Sequence, residues 1–132
     1  MAERKDVTSR RSRRRQSGQV ALEYLGFVPL LLLVGFFAIQ IGIVAYTVNQ
    51  AGTAARVAAR TASQDVLDQE LDPEVAGRRA TSEWLSRDNG KMRFSHRGLD
   101  NVTYTAEVKI PSVVPGIEDW GWVKRSSTMP RG

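Results

Sequence analysis

The sequence predicts an α+β protein: a long N-terminal transmembrane helix that extends outside the membrane, followed by a short helix and a small antiparallel β-sheet. Three observations carry that prediction. The first is a stretch of 32 residues, Tyr24 to Ala55, without a charged side chain. The second is the arginine cluster ahead of it: Arg10, Arg11, Arg13, Arg14 and Arg15. The third is the alternation of apolar and polar residues from Val102 to Ile110, the period of a strand with one buried face.

The basic arm comes first. The 132 residues carry 19 Lys+Arg against 14 Asp+Glu, a net charge of +5. Taken whole, that balance points toward nucleic acid. Residues 1–18, however, hold seven basic side chains against Glu3 and Asp6, which is the entire +5, and the other 114 residues hold 12 of each sign. Beside a long apolar run, such an arm reads as the cytoplasmic flank of a membrane segment. It orients the N-terminus inside and the C-terminal portion outside. No nucleic-acid partner is therefore expected. The arginine pairs lie too far from the apolar run to serve as a twin-arginine signal. The absence of cysteine excludes disulfides, thiol nucleophiles and Cys-ligated metals, and one histidine, His96, excludes multi-histidine sites. No catalytic constellation appears, so neither an enzyme nor a cofactor or metal site is expected.

The apolar helix follows. Roughly 20 apolar residues, rising about 1.5 Å each, cross a hydrocarbon core of about 30 Å. Leu25 to Tyr46 meets that requirement, with Gln40 as its only strongly polar intrusion. A buried helix of a soluble protein would show polar residues at helical spacing, and the remaining chain is too small to cover this one. A secretory signal has a shorter apolar region, about 7–15 residues. Pro29 removes one backbone hydrogen bond inside the helix, so a kink or loosened turn is expected there. Ala38, Gly42, Ala45, Asn49 and Gly52 place small residues along one face, continued by Ala55, Ala59 and Ala62. Small residues allow close helix approach in lipid, which suits self-association or partner helices. Glycine and alanine are also simply common in such helices, and the stripe alone does not decide between these readings. The pattern predicts one helix from about Val20 to Ala62, with Arg56 and Arg60 on its polar edge.

The remainder reads as a small outer domain, residues 65–132. Its acidic run, Asp65, Asp68, Glu70, Asp72 and Glu74, fails the calcium-loop template, because counting from Asp68 puts Pro73 and Arg79 where glycine and glutamate are needed. Asp72-Pro73-Glu74 has the form of an N-cap, a proline at the first helical position and an early acid. The short helix so started is expected to reach about Ser86 and to bury Val75, Ala76, Ala80 and Trp84. Asp88-Asn89-Gly90 marks a turn. Met92–His96 is expected to pair with the alternating strand across 97–101, and Trp122–Met129 to add a third strand after Pro111, Pro115 and Gly116. Trp120, Trp122 and Ile117 fit either an exposed contact patch or the domain core, and the core is the reading adopted. A domain this small without disulfides is expected to lean on its helix or on partners.

Between arm and helix lies Ser17-Gly18-Gln19-Val20-Ala21-Leu22-Glu23-Tyr24. A carboxylate at the mouth of an uncharged span is costly and points to a role; an interfacial glutamate without a partner is the plain alternative. If the chain is cut after Gly18, Gln19 carries a free ammonium four residues from Glu23. The two then meet within one chain at i and i+4, or between chains displaced along a filament.

Basic leader, Gly18, a hydrophobic helix starting at once and Glu23 five residues past the glycine resemble the processing signal of type IV pilins. Glu23-Tyr24 is similar to the Glu-Tyr pair of the Flp (tight-adherence) branch. QAGTAARVAARTAS, from Gln50 to Ser63, resembles the segment after the membrane helix in TadE-like pseudopilins, and the C-terminal VKRSSTMPRG more weakly resembles their last strand. The resemblance implies three parts: a leader, 1–18, cleaved by a prepilin peptidase between Gly18 and Gln19; a pilin helix, 19–64; and the outer domain. It implies Glu23 and Tyr24 as assembly residues, while the small-residue spacing gives Ala38, Gly42, Ala45 and Gly52 as candidate helix-packing residues. The implied partners are the prepilin peptidase, other pilins or pseudopilins, the Tad membrane platform and the lipid bilayer. The expected function is thus a pseudopilin or minor pilin of a tight-adherence pilus or secretion system, held in the cell membrane. The alternative is an uncleaved single-pass signal-anchor protein whose outer domain binds a partner. A nucleic-acid-binding protein tethered by its arginine arm ranks third.

Overall fold

Residues 39–132 pair a helix with a sheet, and that pairing explains the sequence pattern of both. The structure, a computed structural model, describes residues 6–64, 71–87 and 90–131, with side chains described from residue 18 onward. Asp65, Asp68 and Glu70 of the acidic run, Asp88-Asn89 of the turn, and the side chains of Arg10, Arg11, Arg13, Arg14 and Arg15 lie outside the described residues. The chain divides into two units, Met1–Ala38 and Ile39–Gly132.

Helix α1 spans Asp6–Ser63, 58 residues. Its end agrees with the expected Ala62, but it begins well before the expected Val20. The arm is rich in arginine, a good helix former, and Gly18 costs only about 1 kcal/mol in a helix interior. Nothing in the local sequence stops the helix there, and α1 also continues through Pro29. Within Met1–Ala38 the described apolar side chains face outward; Leu22, Leu25, Phe27 and Leu30–Val34 are all exposed. Gly18–Ser63 is long and apolar enough to cross a membrane, with a mean hydropathy of 2.5 in its best window and 6% of that window buried. A soluble core helix would be buried, so this outward apolar surface calls for lipid or other helices.

From Gln40 onward the helix changes character. Gln40, Thr47, Ala51, Ala54, Ala55, Ala58 and Ala59 are fully buried. The cover comes from a three-stranded antiparallel sheet of order β1-β2-β3: Met92–Arg97, Asn101–Lys109 and Trp122–Pro130. The strands fall where the sequence placed them. Pairing sets Met92 opposite Val108, and Val108 opposite Val123. Residues of alternate parity therefore share the helix-facing side. Along α1, Ala51 packs with Met92 and Val108, Ala54 and Ala55 with Ala106, and Ala58 and Ala59 with Val102 and Tyr104. Phe94 touches all three clusters. Alanine is what such a seam requires, because a methyl group fills the close helix-to-sheet gap without forcing the layers apart. Ala55 and Ala59, read as an extension of a stripe for other helices, are occupied by the chain's own sheet.

The other sheet face is polar. Thr103 bonds Thr128 and Thr105 bonds Ser126, each at 2.8 Å between hydroxyls, and Lys124 Nζ lies 2.7 Å from Glu107 Oε1. Trp122 also belongs to this side, exposed, with the Arg93 guanidinium 4.4 Å from its ring centroid. The adopted reading of Trp122 and Ile117 as domain core is thus overturned. With Val123 turned inward, pleat alternation sends Trp122 outward, and Ile117 is exposed on the loop before it.

The connection between α1 and β1 differs from the single helix expected. It forms α2, Pro73–Arg79, and α3, Glu83–Ser86. Asp72 caps α2 as its sequence implied, accepting at 2.8 Å from the Glu74 N–H. The helix stops because Thr81 Oγ1 donates to the Arg78 carbonyl, while Ser82 N–H turns to Gln50 Oε1 on α1. That break rotates the expected apolar face: Gly77 and Leu85 are buried, whereas Val75, Ala80 and Trp84 are exposed. Gly77 is needed for the approach, since a Cβ there would lie 2.9 Å from the Ala54 carbonyl oxygen. Gly98, at φ +108°, lets the β1–β2 hairpin close.

Candidate functional site

The junction singled out by the sequence lies on α1. Gly18 and Gln19 are exposed helical residues, and a Cβ at Gly18 would meet nothing within 4 Å. Glu23 and Tyr24 are exposed as well, one turn further on. Helical geometry puts residues 19 and 23 on one face, four apart. The bond between Gly18 and Gln19 is thus accessible from the side but coiled, and a protease that reads an extended backbone must first unwind it.

The small-residue face separates into two parts. Ala38, Gly42 and Ala45 are exposed, and Gly42 has open space where a side chain would go. Gly52 is buried, with Arg125 Nε and Arg56 Nη2 each 3.9 Å from the position of an added Cβ. Four residues chosen for one stripe therefore divide into three available to another helix and one enclosed by its own chain.

Gln40 is the residue whose task the sequence did not disclose. Its Nε2 donates to the Pro111 carbonyl at 2.9 Å, and its Oε1 accepts from the Val113 N–H at 2.9 Å. Both halves of one side-chain amide are spent on the 110–121 loop that joins β2 to β3. The polar intrusion into the apolar run was visible in the sequence; its partners, more than 70 positions away, were not.

Ionisable groups elsewhere suit structure rather than catalysis. His96 stacks on Tyr104 at 5.5 Å between ring centroids. Burial raises the Tyr104 phenol above its ordinary pKa, with further upward push from Glu74 and then Asp72. Among the described residues, no group of three or more His, Cys, Asp or Glu could hold a metal ion.

A helix that is apolar and exposed before Gln40, then sheathed by a small sheet after it, defines a membrane-anchored α+β protein with one candidate span near its N-terminus. Residues 18–60 match the family model described as TadE-like protein. Over that segment the chain is similar to the TadE-like proteins, in line with the resemblance carried by Gly18 and by the stretch that begins at Gln50. That family is pilin-related, structural and associated with the Tad pilus. No curated protein and no solved structure matches the chain.

Proposed function

We propose that the protein is a pseudopilin, a minor subunit of a tight-adherence pilus or secretion machine, processed after Gly18 and incorporated by helix packing. The observation that carries the reading is that the TadE-like match opens at Gly18 itself, the residue preceding the inferred cut. The arginine arm supports an N-terminus in the cytoplasm, where a prepilin peptidase works, and a sheet domain outside. Processing leaves an ammonium at Gln19 for Glu23 of the same or a neighbouring subunit. The exposed apolar helix and its open small-residue positions, Ala38, Gly42 and Ala45, suit contacts with other pilins and the Tad platform.

Intact-mass analysis of membrane-extracted protein, coexpressed with the peptidase, tests the proposal. The expected chain starts at Gln19, and Gly18→Trp is expected to leave the full precursor. A chain that still starts at Met1 overturns it. That outcome supports the second reading, an uncleaved signal-anchor protein, which the unbroken α1 across Gly18–Gln19 favours.

A further inference from the structure

The chain has three tryptophans: Trp120 and Trp122 lie in and directly after the loop joining β2 to β3, and Trp84 lies on α3. Trp84 stacks on Tyr46 of α1 at 5.8 Å, beside the hydroxyl pair of Tyr46 and Ser82. Trp120 Nε1 donates to Ser112 Oγ at 3.1 Å, within the loop whose Pro111 and Val113 bond Gln40. Trp122 opens β3 opposite Lys109, immediately after that loop. The sheet's other end packs on Ala58 and Ala59, well along the helix.

The loop is thereby fixed at Gln40, one peptide bond beyond Ile39. Val20 to Ile39 faces outward and is apolar apart from Glu23 near its start, and at about 1.5 Å per residue its 20 residues match a hydrocarbon core of about 30 Å. Whatever sits beside Gln40 therefore sits where the chain leaves the bilayer. The loop nonetheless exposes apolar side chains, Val113 at 38% and Ile117 at 39%; Trp122 directly after it is exposed at 38%, and Trp84 against Tyr46 at 50%. Lys91 and Lys109 line the same hollow as Val113 and Ile117. Amphipathic aromatic rings favour the headgroup level of a membrane, and lysines there reach lipid phosphates.

We propose that the 110–121 loop, with Trp84 and Trp122, is a seating surface for phospholipid. It rests the sheet domain on the headgroup boundary of the leaflet from which the helix emerges. Val113 and Ile117 enter the upper acyl region, and the lysines face phosphate. The proposal needs only the membrane span; neither processing nor filament assembly enters it.

The span contains no tryptophan, so all indole fluorescence reports on this surface. The full chain is placed in phosphatidylcholine nanodiscs at one copy per disc, with acyl chains either plain or brominated at carbons 6 and 7. Indoles at headgroup depth are expected to lose about half of their emission in the brominated discs. Val113→Asp with Ile117→Asp, both at exposed positions, is expected to restore emission toward the plain-lipid level with an unchanged far-ultraviolet circular dichroism spectrum. Equal emission from plain and brominated discs overturns the proposal. So does unchanged quenching in the double variant. A blue shift that requires two copies per disc, without quenching, likewise overturns it and makes the surface an interface between copies.

Discussion

At the scale of single residues, Gln40 carries the most information per atom. A glutamine among leucines and isoleucines can be a packing residue for a neighbouring helix or an accident near the bilayer edge. Here it substitutes for a strand partner, giving one donor and one acceptor to a loop that has no ladder of its own. Gln40→Ala strands the Pro111 carbonyl and the Val113 N–H together, and unmatched buried groups cost about 1–3 kcal/mol. The expected result is faster hydrogen exchange at Val113, with the amides of β2 little changed. If Val113 exchanges as before, the clamp has no energetic role. The reading of Gly18 and Glu23 rests on residues within a few positions of each other and so could be made from the sequence. Gln40 was not, because its partners are fixed only once the chain has folded back from residue 110.

Among the elements, the strands could be read in advance and the short helices could not. β2 alternates cleanly because one face meets alanines and the other meets water. β1 is short, and in β3 serine and arginine or threonine occupy both sides, so neither strand alternates as clearly in the sequence. The α2–α3 region misled for a physical reason: amphipathic spacing from Val75 to Trp84 assumes an unbroken helix, and Thr81 and Ser82 end it. The site where α2 crosses α1 rests on an absent side chain. Gly77→Ala would press a methyl against the Ala54 carbonyl and the Phe94 ring, both 2.9 Å away. Overpacking of this kind costs about 1–3 kcal/mol, and the gain in helix propensity, about 1 kcal/mol, does not offset it in full. Gly42→Ala meets no neighbour and is expected to be neutral or stabilising. Thermal melts of the two variants in the same detergent should shift in opposite directions, or at least by clearly different amounts.

For the whole molecule, the division at Ala38–Ile39 redraws what the sequence suggested. Composition places the end of the apolar run near Tyr46 and the start of the outer domain at residue 65. Packing instead gives residues 39–63 to the sheet, because the buried alanines of α1 close its apolar face. A fragment of residues 39–132 is therefore expected to fold with a cooperative melt. A fragment of residues 65–132 is expected to lack one, exposing Val102, Tyr104, Ala106 and Val108. Comparable cooperative melts for both fragments would remove the helix from the domain's core. The expectation that so small a domain leans on its helix follows from size alone; which helical residues it leans on required the register.

The alanine seam also bears on how the protein changes surroundings. Every residue of α1 that the sheet covers already has its contacts inside the chain, and the Gln40 amide is satisfied there too. Any transfer out of lipid thus needs new neighbours chiefly for the twenty residues from Val20 to Ile39. The folded portion can change surroundings as a finished unit, with one short apolar sleeve left to find new neighbours.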